Sequence, residues 1–207
     1  MKKTKKIVAL VLAAVMLVCT TVAATVAYLQ SKTEVVTNTF TVGKVVITLD
    51  EAKVTEYGVK DGETRVMENT YKLVSNHEYV KDPTVHVDKD SENCFVFVEV
   101  VNGLAGFEKA GETTIAEQMK AKGWYAVEGA TNIYYYGTAN GLTEVDADNT
   151  NGTDLVVFEK FVTDATVELA NTDGTAKASP VTIKAYAIQA DGFAGKTAAE
   201  VWTVVTK

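Results

Sequence analysis

The chain has 207 residues, of which 27 are acidic, 20 are lysine or arginine and two are histidine, so its formal net charge is −7. Binding to nucleic acid or to an anionic membrane surface depends on clusters of basic side chains, so this composition argues against both kinds of partner. With only two prolines, Pro83 and Pro180, and no Pro-rich or Gly/Ser-rich linker, the sequence favours a single domain after its first segment.

That first segment is a lysine-rich start followed by an apolar run. Four lysines lie within the first six residues, and the run Ile7–Val18 follows them. Small residues ending at Ala27 then precede Tyr28, which is the arrangement that a signal peptidase cleaves. We predict that residues 1–27 are a signal peptide cut between Ala27 and Tyr28, with Ala24 as a second cleavage position. The protein is therefore expected to be secreted to the cell surface or the extracellular matrix.

The same segment leaves two other interpretations open. Residues 7–28 have about the length needed to span a bilayer, roughly 20 residues, so an uncleaved membrane anchor is one of them. Lipid attachment at Cys19 is the other, although Val18 stands where such a cleavage site has a much smaller residue. A type IV pilin start is not supported, because no glutamate follows a glycine cleavage site.

Cleavage after Ala27 would leave a domain from residue 28 to residue 207 with a single cysteine, Cys94. Removing 27 residues leaves 180, and the loss of four lysines changes the net charge from −7 to −11. A chain of this length buries about 70 % of its unfolded surface without disulfides. No intramolecular disulfide could form, so we predict that the Cys94 thiol is a small buried apolar group.

Short runs rich in Val, Ile, Thr, Tyr and Phe recur between turn signals in the rest of the chain. They predict an all-β sandwich or barrel rather than βαβ units. Alternation in the strands that contain His86 and Lys184 predicts one buried and one solvent-facing side. Cys94–Val101 is apolar on both sides except at Glu99, which predicts a central strand. The candidate strands are Thr39–Leu49, Thr64–Leu73, Thr84–Asp88, Asn93–Asn102, Trp124–Glu128, Ile133–Tyr136, Leu155–Phe161, Thr166–Leu169 and Val181–Gln189.

Two capping boxes predict short helices within this β-rich chain. Thr114–Glu117 and Thr197–Glu200 each place a threonine three residues before a glutamate, so that both side chains satisfy otherwise unpaired amides. Ile115 and Met119 give the first helix an apolar stripe. We expect both helices to close ends of the sandwich.

Candidate metal and catalytic residues are few. His77 and Glu78 begin like the zinc-protease motif HExxH, but Lys81 occupies the place of the second histidine, so the motif fails. His86 faces away from its valine neighbours, which predicts an exposed surface residue. We assign no catalytic residues and expect no enzymatic activity.

One acidic segment, Glu144–Asp154, has partial likeness to a calcium loop. Asp146 and Asp148 are spaced like its first ligands, whereas Gly152 falls one position late and no glutamate occupies the twelfth position. Asp146, Asp148 and Asp154 are the candidate calcium ligands, and calcium is the one cofactor considered. The alternative is a long polar hairpin loop.

Two other kinds of cluster are interpreted structurally. The acidic pairs and runs Asp50–Glu51 and Asp88–Glu92 are predicted to be solvated loops. Tyr134–Tyr136 looks like a sugar-binding platform, but side chains alternate across a strand, so at most two rings share a face and packing within the sheet is favoured.

Several segments carry a resemblance to a known family. The lysine-rich signal runs into Ala27–Leu29, and the Thr- and Val-rich stretch Thr37–Glu51 follows it. Lys81–Val85 leads into the strand Cys94–Val100, and Ala185–Phe193 precedes the last helix. Together they resemble the TasA and camelysin family of biofilm-matrix proteins, which Gram-positive bacteria export with the signal peptidase SipW. The resemblance implies a jelly-roll sandwich, processing by a signal peptidase and self-association into fibres.

The same resemblance makes Tyr28–Asn38 a candidate assembly strand. In that family, the new N-terminus of one subunit adds a strand to the next. The segment contains the apolar residues Tyr28, Leu29, Val35 and Val36 and would reach about 36 Å if extended. Cleavage would then release the strand, whereas pairing within its own sheet or a lack of structure is the alternative.

Three hypotheses of function follow. The main one is a structural, non-enzymatic matrix protein that forms or joins fibres. The second is a monomeric surface module that binds sugar, protein or calcium through the loops of residues 137–154. The third is a metal-dependent peptidase, a label applied to camelysin-like proteins, which the failed HExxH motif argues against.

Overall fold

The computed structural model describes residues 44–109, 114–146 and 152–206, which belong to one compact unit. The predicted signal peptide, its cleavage site at Ala27 and Tyr28, and the assembly segment with Leu29, Val35 and Val36 lie outside these ranges. The helices are α1 (Ile115–Ala121) and α2 (Ala198–Val205). The strands are β1 (Ile47–Val54), β2 (Lys60–Val66), β3 (Glu78–Val80), β4 (Thr84–Val87), β5 (Cys94–Asn102), β6 (Trp124–Ala126), β7 (Ile133–Thr138), β8 (Gly141–Leu142), β9 (Thr153–Val156), β10 (Lys160–Val162) and β11 (Val181–Gln189).

These strands form an antiparallel β-sandwich, which confirms the predicted all-β class. The smaller sheet has the order β2-β1-β4-β9, and the larger sheet has the order β11-β5-β7-β6 with β8 paired to β7. A separate two-stranded sheet joins β3 and β10. The main core lies between the two large sheets, where Val85 and Val87 of β4 meet Val96 and Val98 of β5.

Strand β5 is the centre of the larger sheet, as its apolar sequence predicts. It pairs with β11 on one side and β7 on the other, and Cys94, Val96 and Phe97 are fully buried. Its even-numbered residues face the main core, whereas Phe95 and Phe97 face a second core under α2. Both faces are covered, so both faces of the strand are apolar.

The two helices begin where the capping boxes predict. The hydroxyls of Thr114 and Thr197 each accept a hydrogen bond from the main-chain amide of the glutamate three residues later. Helix α1 contributes Ile115 and Met119 to the main core. Helix α2 covers the outer face of the larger sheet, where Trp202 packs on Phe97, so the expectation that it closes an end of the sandwich is wrong.

The departures from three of the predicted strands, Thr64–Leu73, Leu155–Phe161 and Thr166–Leu169, have identifiable reasons. Beyond β2, Asn69 bonds to the main chain of β1 through its side chain, which replaces a continuing ladder. Gln118 of α1 bonds to the main chain at Glu159 and Lys160 and separates β9 from β10. The segment Thr166–Leu169 is not a strand, because the Asp164 carboxylate accepts hydrogen bonds from the Thr166 amide and hydroxyl and forms a turn.

Candidate functional site

Strand β11 forms one edge of the larger sheet. It pairs with β5 along nine residues, from Val181 opposite Asn102 to Gln189 opposite Cys94. Within the described ranges, no strand pairs with its other side. Lys184 is its one charged residue. The edge therefore presents a long row of main-chain groups with little charge to discourage a further strand.

The ladder with β5 determines which main-chain groups of β11 point away from the sheet. Just past the strand, the Ala190 amide donates to the Asn93 carbonyl at 2.8 Å. Bonded and non-bonded pairs alternate along an antiparallel ladder, so the main-chain groups of Ile183, Ala185 and Ala187 point outward. Their side chains pack against the main core. An added strand would thus form hydrogen bonds with the main-chain groups of residues whose side chains are already packed in the core.

A cavity of about 310 Å³ opens beside the start of β11. Its lining is mostly apolar and includes Leu73, Leu104, Phe161 and Val181. When a strand is added to a sheet edge, its alternate side chains enter such cavities and give the contact its specificity. The cavity and the edge therefore form one candidate acceptor site.

One polar residue of the cavity wall, Lys81, belongs to a buried ion pair. The Nζ of Lys81 lies 2.6 Å from Oε2 of Glu51, and both side chains are less than a tenth exposed. The Asn69 amide donates to the other Glu51 oxygen at 2.9 Å. Burial, and then the negative charge of Glu51, raises the pKa of Tyr71 far above its ordinary value. The Tyr71 hydroxyl thus remains a donor beside the pair.

This ion pair corrects one prediction from the sequence. Asp50–Glu51 lies in β1 and not in a solvated loop. Side chains alternate along a strand, and Leu49 packs against the main core, so Glu51 also points inward. Lys81, which breaks the HExxH pattern, is its partner. The other acidic run, Asp88–Glu92, does form a turn with exposed acidic residues.

A second polar cluster lies on the outer face of the smaller sheet. The Nε2 of His86 lies 2.8 Å from Asp50 Oδ1, and its Nδ1 lies 2.6 Å from Asp154 Oδ1. Arg65 of β2 donates from Nε to Asp50 and from Nη1 to Asp82 at 3.2 Å. The sequence predicts an exposed His86, but cross-strand pairing with β9 places the ring half-buried between two carboxylates.

Asp50 is the carboxylate that Arg65 and His86 share in this cluster. Burial alone would raise the pKa of Asp50, but hydrogen bonds from Arg65 and His86, together with their positive charges, lower it overall. The carboxylate is therefore ionised at neutral pH and joins β1 to both β2 and β4.

The first two residues of the failed HExxH motif, His77 and Glu78, contact other groups of the protein. His77 Nε2 lies 2.9 Å from the main-chain oxygen of Tyr57, and Glu78 pairs with Lys160 at 2.5 Å, so each has its own partner. In the part of the chain that the structure describes, no three His, Cys, Asp or Glu side chains are arranged to hold a metal ion.

Two of the three calcium candidates, Asp146 and Asp154, lie within the described residues. Asp148 lies outside the described residues, and the Asp154 carboxylate contacts His86. The main-chain carbonyl of Asp146 accepts a hydrogen bond from the Thr153 hydroxyl at 3.3 Å. Calcium binding by this segment stays a prediction.

Tyr134–Tyr136 and Cys94 pack as their strands predict. Tyr135 lies on the outer face with its ring centre 5.9 Å from that of Tyr125, while Tyr134 and Tyr136 pack against the main core. Burial, and then the charge of Glu144, raises the pKa of the buried Cys94 thiol to about 11. The thiol is therefore a protonated packing group.

Sequence reasoning did not single out Arg65, Asp82 or Asn69, which hold β1 to its neighbours. One signal was available, because Arg65 is the only arginine in the chain. A single arginine among many lysines suits a place where one planar group must bond to several acceptors at once.

Comparison with known proteins adds no relative, since no family model, curated protein or solved structure matches the chain. The described residues include no helix that combines the length and the apolar character needed to cross a membrane.

Proposed function

We propose that this protein is a secreted structural subunit of an extracellular or biofilm matrix, whose subunits join by strand addition. Tyr28–Asn38 of one subunit would pair with the outer edge of β11 in the next. The observation that carries this proposal is the long, nearly uncharged β11 edge beside an apolar cavity. The proposal includes no catalytic activity.

The dimensions of the two segments support this pairing. The eleven residues Tyr28–Asn38 would extend over about 36 Å, and the nine residues of β11 over about 30 Å. Each main-chain hydrogen bond that the new strand forms contributes about 0.5–1.5 kcal/mol net. Apolar side chains of the segment would occupy the cavity beside the start of β11.

The export signal and the family resemblance support the same proposal. Residues 1–27 have the pattern of a signal peptide, and the TasA and camelysin family to which the chain shows resemblance consists of exported matrix proteins. Cleavage between Ala27 and Tyr28 would free the donor segment, which makes processing by the signal peptidase a condition for assembly.

The test uses the protein secreted by its native host, with mass analysis of its N-terminus and negative-stain electron microscopy of the same sample. We expect a chain that starts at Tyr28 and forms filaments. Replacing Tyr28–Asn38 by eleven Gly and Ser residues should leave a folded monomer, whereas the control Val35→Ile with Val36→Ile should still polymerise. Filaments of the Gly/Ser variant would overturn strand addition, and an uncleaved chain would favour a membrane anchor.

A further inference from the structure

Strand β9 is attached to the smaller sheet by a short ladder. It forms an edge of that sheet and pairs with β4 over four residues, Thr153–Val156. Cross-strand side-chain pairs contribute much of the stability of so short a pairing. His86 and Asp154 are directly opposite each other in this ladder, and their side chains are in hydrogen-bond contact at 2.6 Å.

The contacts of His86 require a proton on each ring nitrogen. Nδ1 lies against Asp154, and Nε2 lies 2.8 Å from Asp50 in β1. A carboxylate can only accept hydrogen bonds, and a neutral imidazole has a single N–H, so one carboxylate would then face a ring lone pair. Only the imidazolium donates at both positions, so the chain of contacts from β1 through β4 to β9 is complete only in the charged form.

The charges around the ring favour this form overall. Burial lowers the pKa of His86, but the hydrogen bonds to Asp50 and Asp154 and their negative charges raise it above its ordinary value near 6.5. Arg65 opposes the imidazolium because it also binds Asp50. Two other charged residues lie in this cluster, Arg65 and Asp82. Asp88 and Lys89, from the turn after β4, line a cavity of about 320 Å³ together with His86 and Asp154.

We propose that His86 is a pH-sensitive latch, whose protonated ring ties β9 to β4 and β1 through its contacts with Asp154 and Asp50 and which releases this edge strand when the ring loses its proton. The contribution of the latch to stability is fully present below the unfolded-state pKa of about 6.5 and is lost as the pH passes through the higher folded-state value. The latch concerns the smaller sheet and does not depend on strand addition at β11.

Hydrogen exchange of the secreted protein, measured between pH 6 and pH 9 with a chelator present, tests the latch. After correction for the intrinsic rate, protection of the β9 amides should fall several-fold relative to that of β5. His77→Gln is the matched control, because His77 contacts a main-chain carbonyl and not a carboxylate, and it should behave like the unmodified protein. His86→Gln should show the same β9 protection at both pH values.

A titration of the two histidine rings by NMR gives a second measurement. We expect His86 to titrate above pH 6.5, and in Asp154→Asn to titrate lower with a smaller pH dependence of β9 protection. This variant retains both histidines and tests the proposal even if His86→Gln does not fold. Unchanged β9 protection across the pH range, or a fall that persists without the His86–Asp154 contact, would overturn the latch.

Discussion

Strands β2 and β11 are both edge strands, yet their sequences differ in charge. Four of the seven residues of β2 are charged, and six are exposed. By contrast, β11 has one charge in nine residues and exposes only Thr182 and Lys184. Charged side chains along an edge discourage pairing with another strand. The difference favours β11 over β2 as the acceptor edge in the proposed strand addition, and we call β2 the protected edge and β11 the receptive edge.

The polar groups behind the two edges differ in the same way. Asp50 and Glu51 are neighbours in β1, but their side chains point to opposite faces. Asp50 belongs to the partly exposed cluster with Arg65 of β2, whereas Glu51 forms the buried pair with Lys81 at the cavity beside β11. Water can solvate Asp50 when its contact with Arg65 is broken, but it cannot reach Glu51 when Lys81 is removed. A substitution in the buried pair should therefore lower the free energy of unfolding more than one in the exposed cluster.

The largest expected effect comes from closing the receptive edge. Ala185→Pro removes an outward amide of β11 without removing a hydrogen bond to β5, so we expect a folded protein that no longer forms filaments. Sedimentation and negative-stain microscopy of the secreted variant would measure this. Ala185→Gly is the control, because it weakens the strand by about 0.5–1 kcal/mol but keeps the amide. Filaments formed by Ala185→Pro would show that β11 is not the acceptor.

Breaking the buried pair should be the next largest effect. Lys81→Met leaves the Glu51 carboxylate buried without its partner, and such changes cost about 3–5 kcal/mol. Urea unfolding monitored by circular dichroism would measure the loss. The double variant Glu51→Gln with Lys81→Met has no unpaired charge and should recover most of it. Equal stability of the single and double variants would mean that the pair is not buried as described.

The sequence predicts those parts of the fold that depend on local pattern. Alternation identifies β11, the two-sided apolar run identifies β5, and the capping boxes locate both helices, because each signal is contained in consecutive residues. Contacts between distant residues leave no such signal. Gln118 interrupts the predicted strand Leu155–Phe161 from a helix about 40 residues earlier in the chain.

The candidate sites show the same limit. Alternation with Leu49 already places Glu51 on the inward face, so its burial could have been predicted, but its pairing with Lys81 depends on how β3 and β4 are connected. His86 could be placed on the polar face of β4, whereas its two carboxylate partners depend on the register of β1 and β9. Register is set by the packing of whole strands and is not written in any one segment.

The smallest expected effect is at the protected edge. Arg65→Lys keeps the charge but loses the planar group that bonds Asp50 and Asp82 together, so we expect a loss of about 0.5–1 kcal/mol at pH 7. The lowered pKa of Asp50 adds a pH dependence. Its contribution is present above the unfolded-state pKa of about 3.8 and is lost as the pH falls through the lower folded-state value. Thermal unfolding should therefore separate the variant from the unmodified protein at pH 7 and bring the two together in acid. A difference that persists below the folded-state pKa would show that Arg65 acts through its hydrogen bonds to the main-chain carbonyls of Asp50 and Asp82 and not through the Asp50 carboxylate.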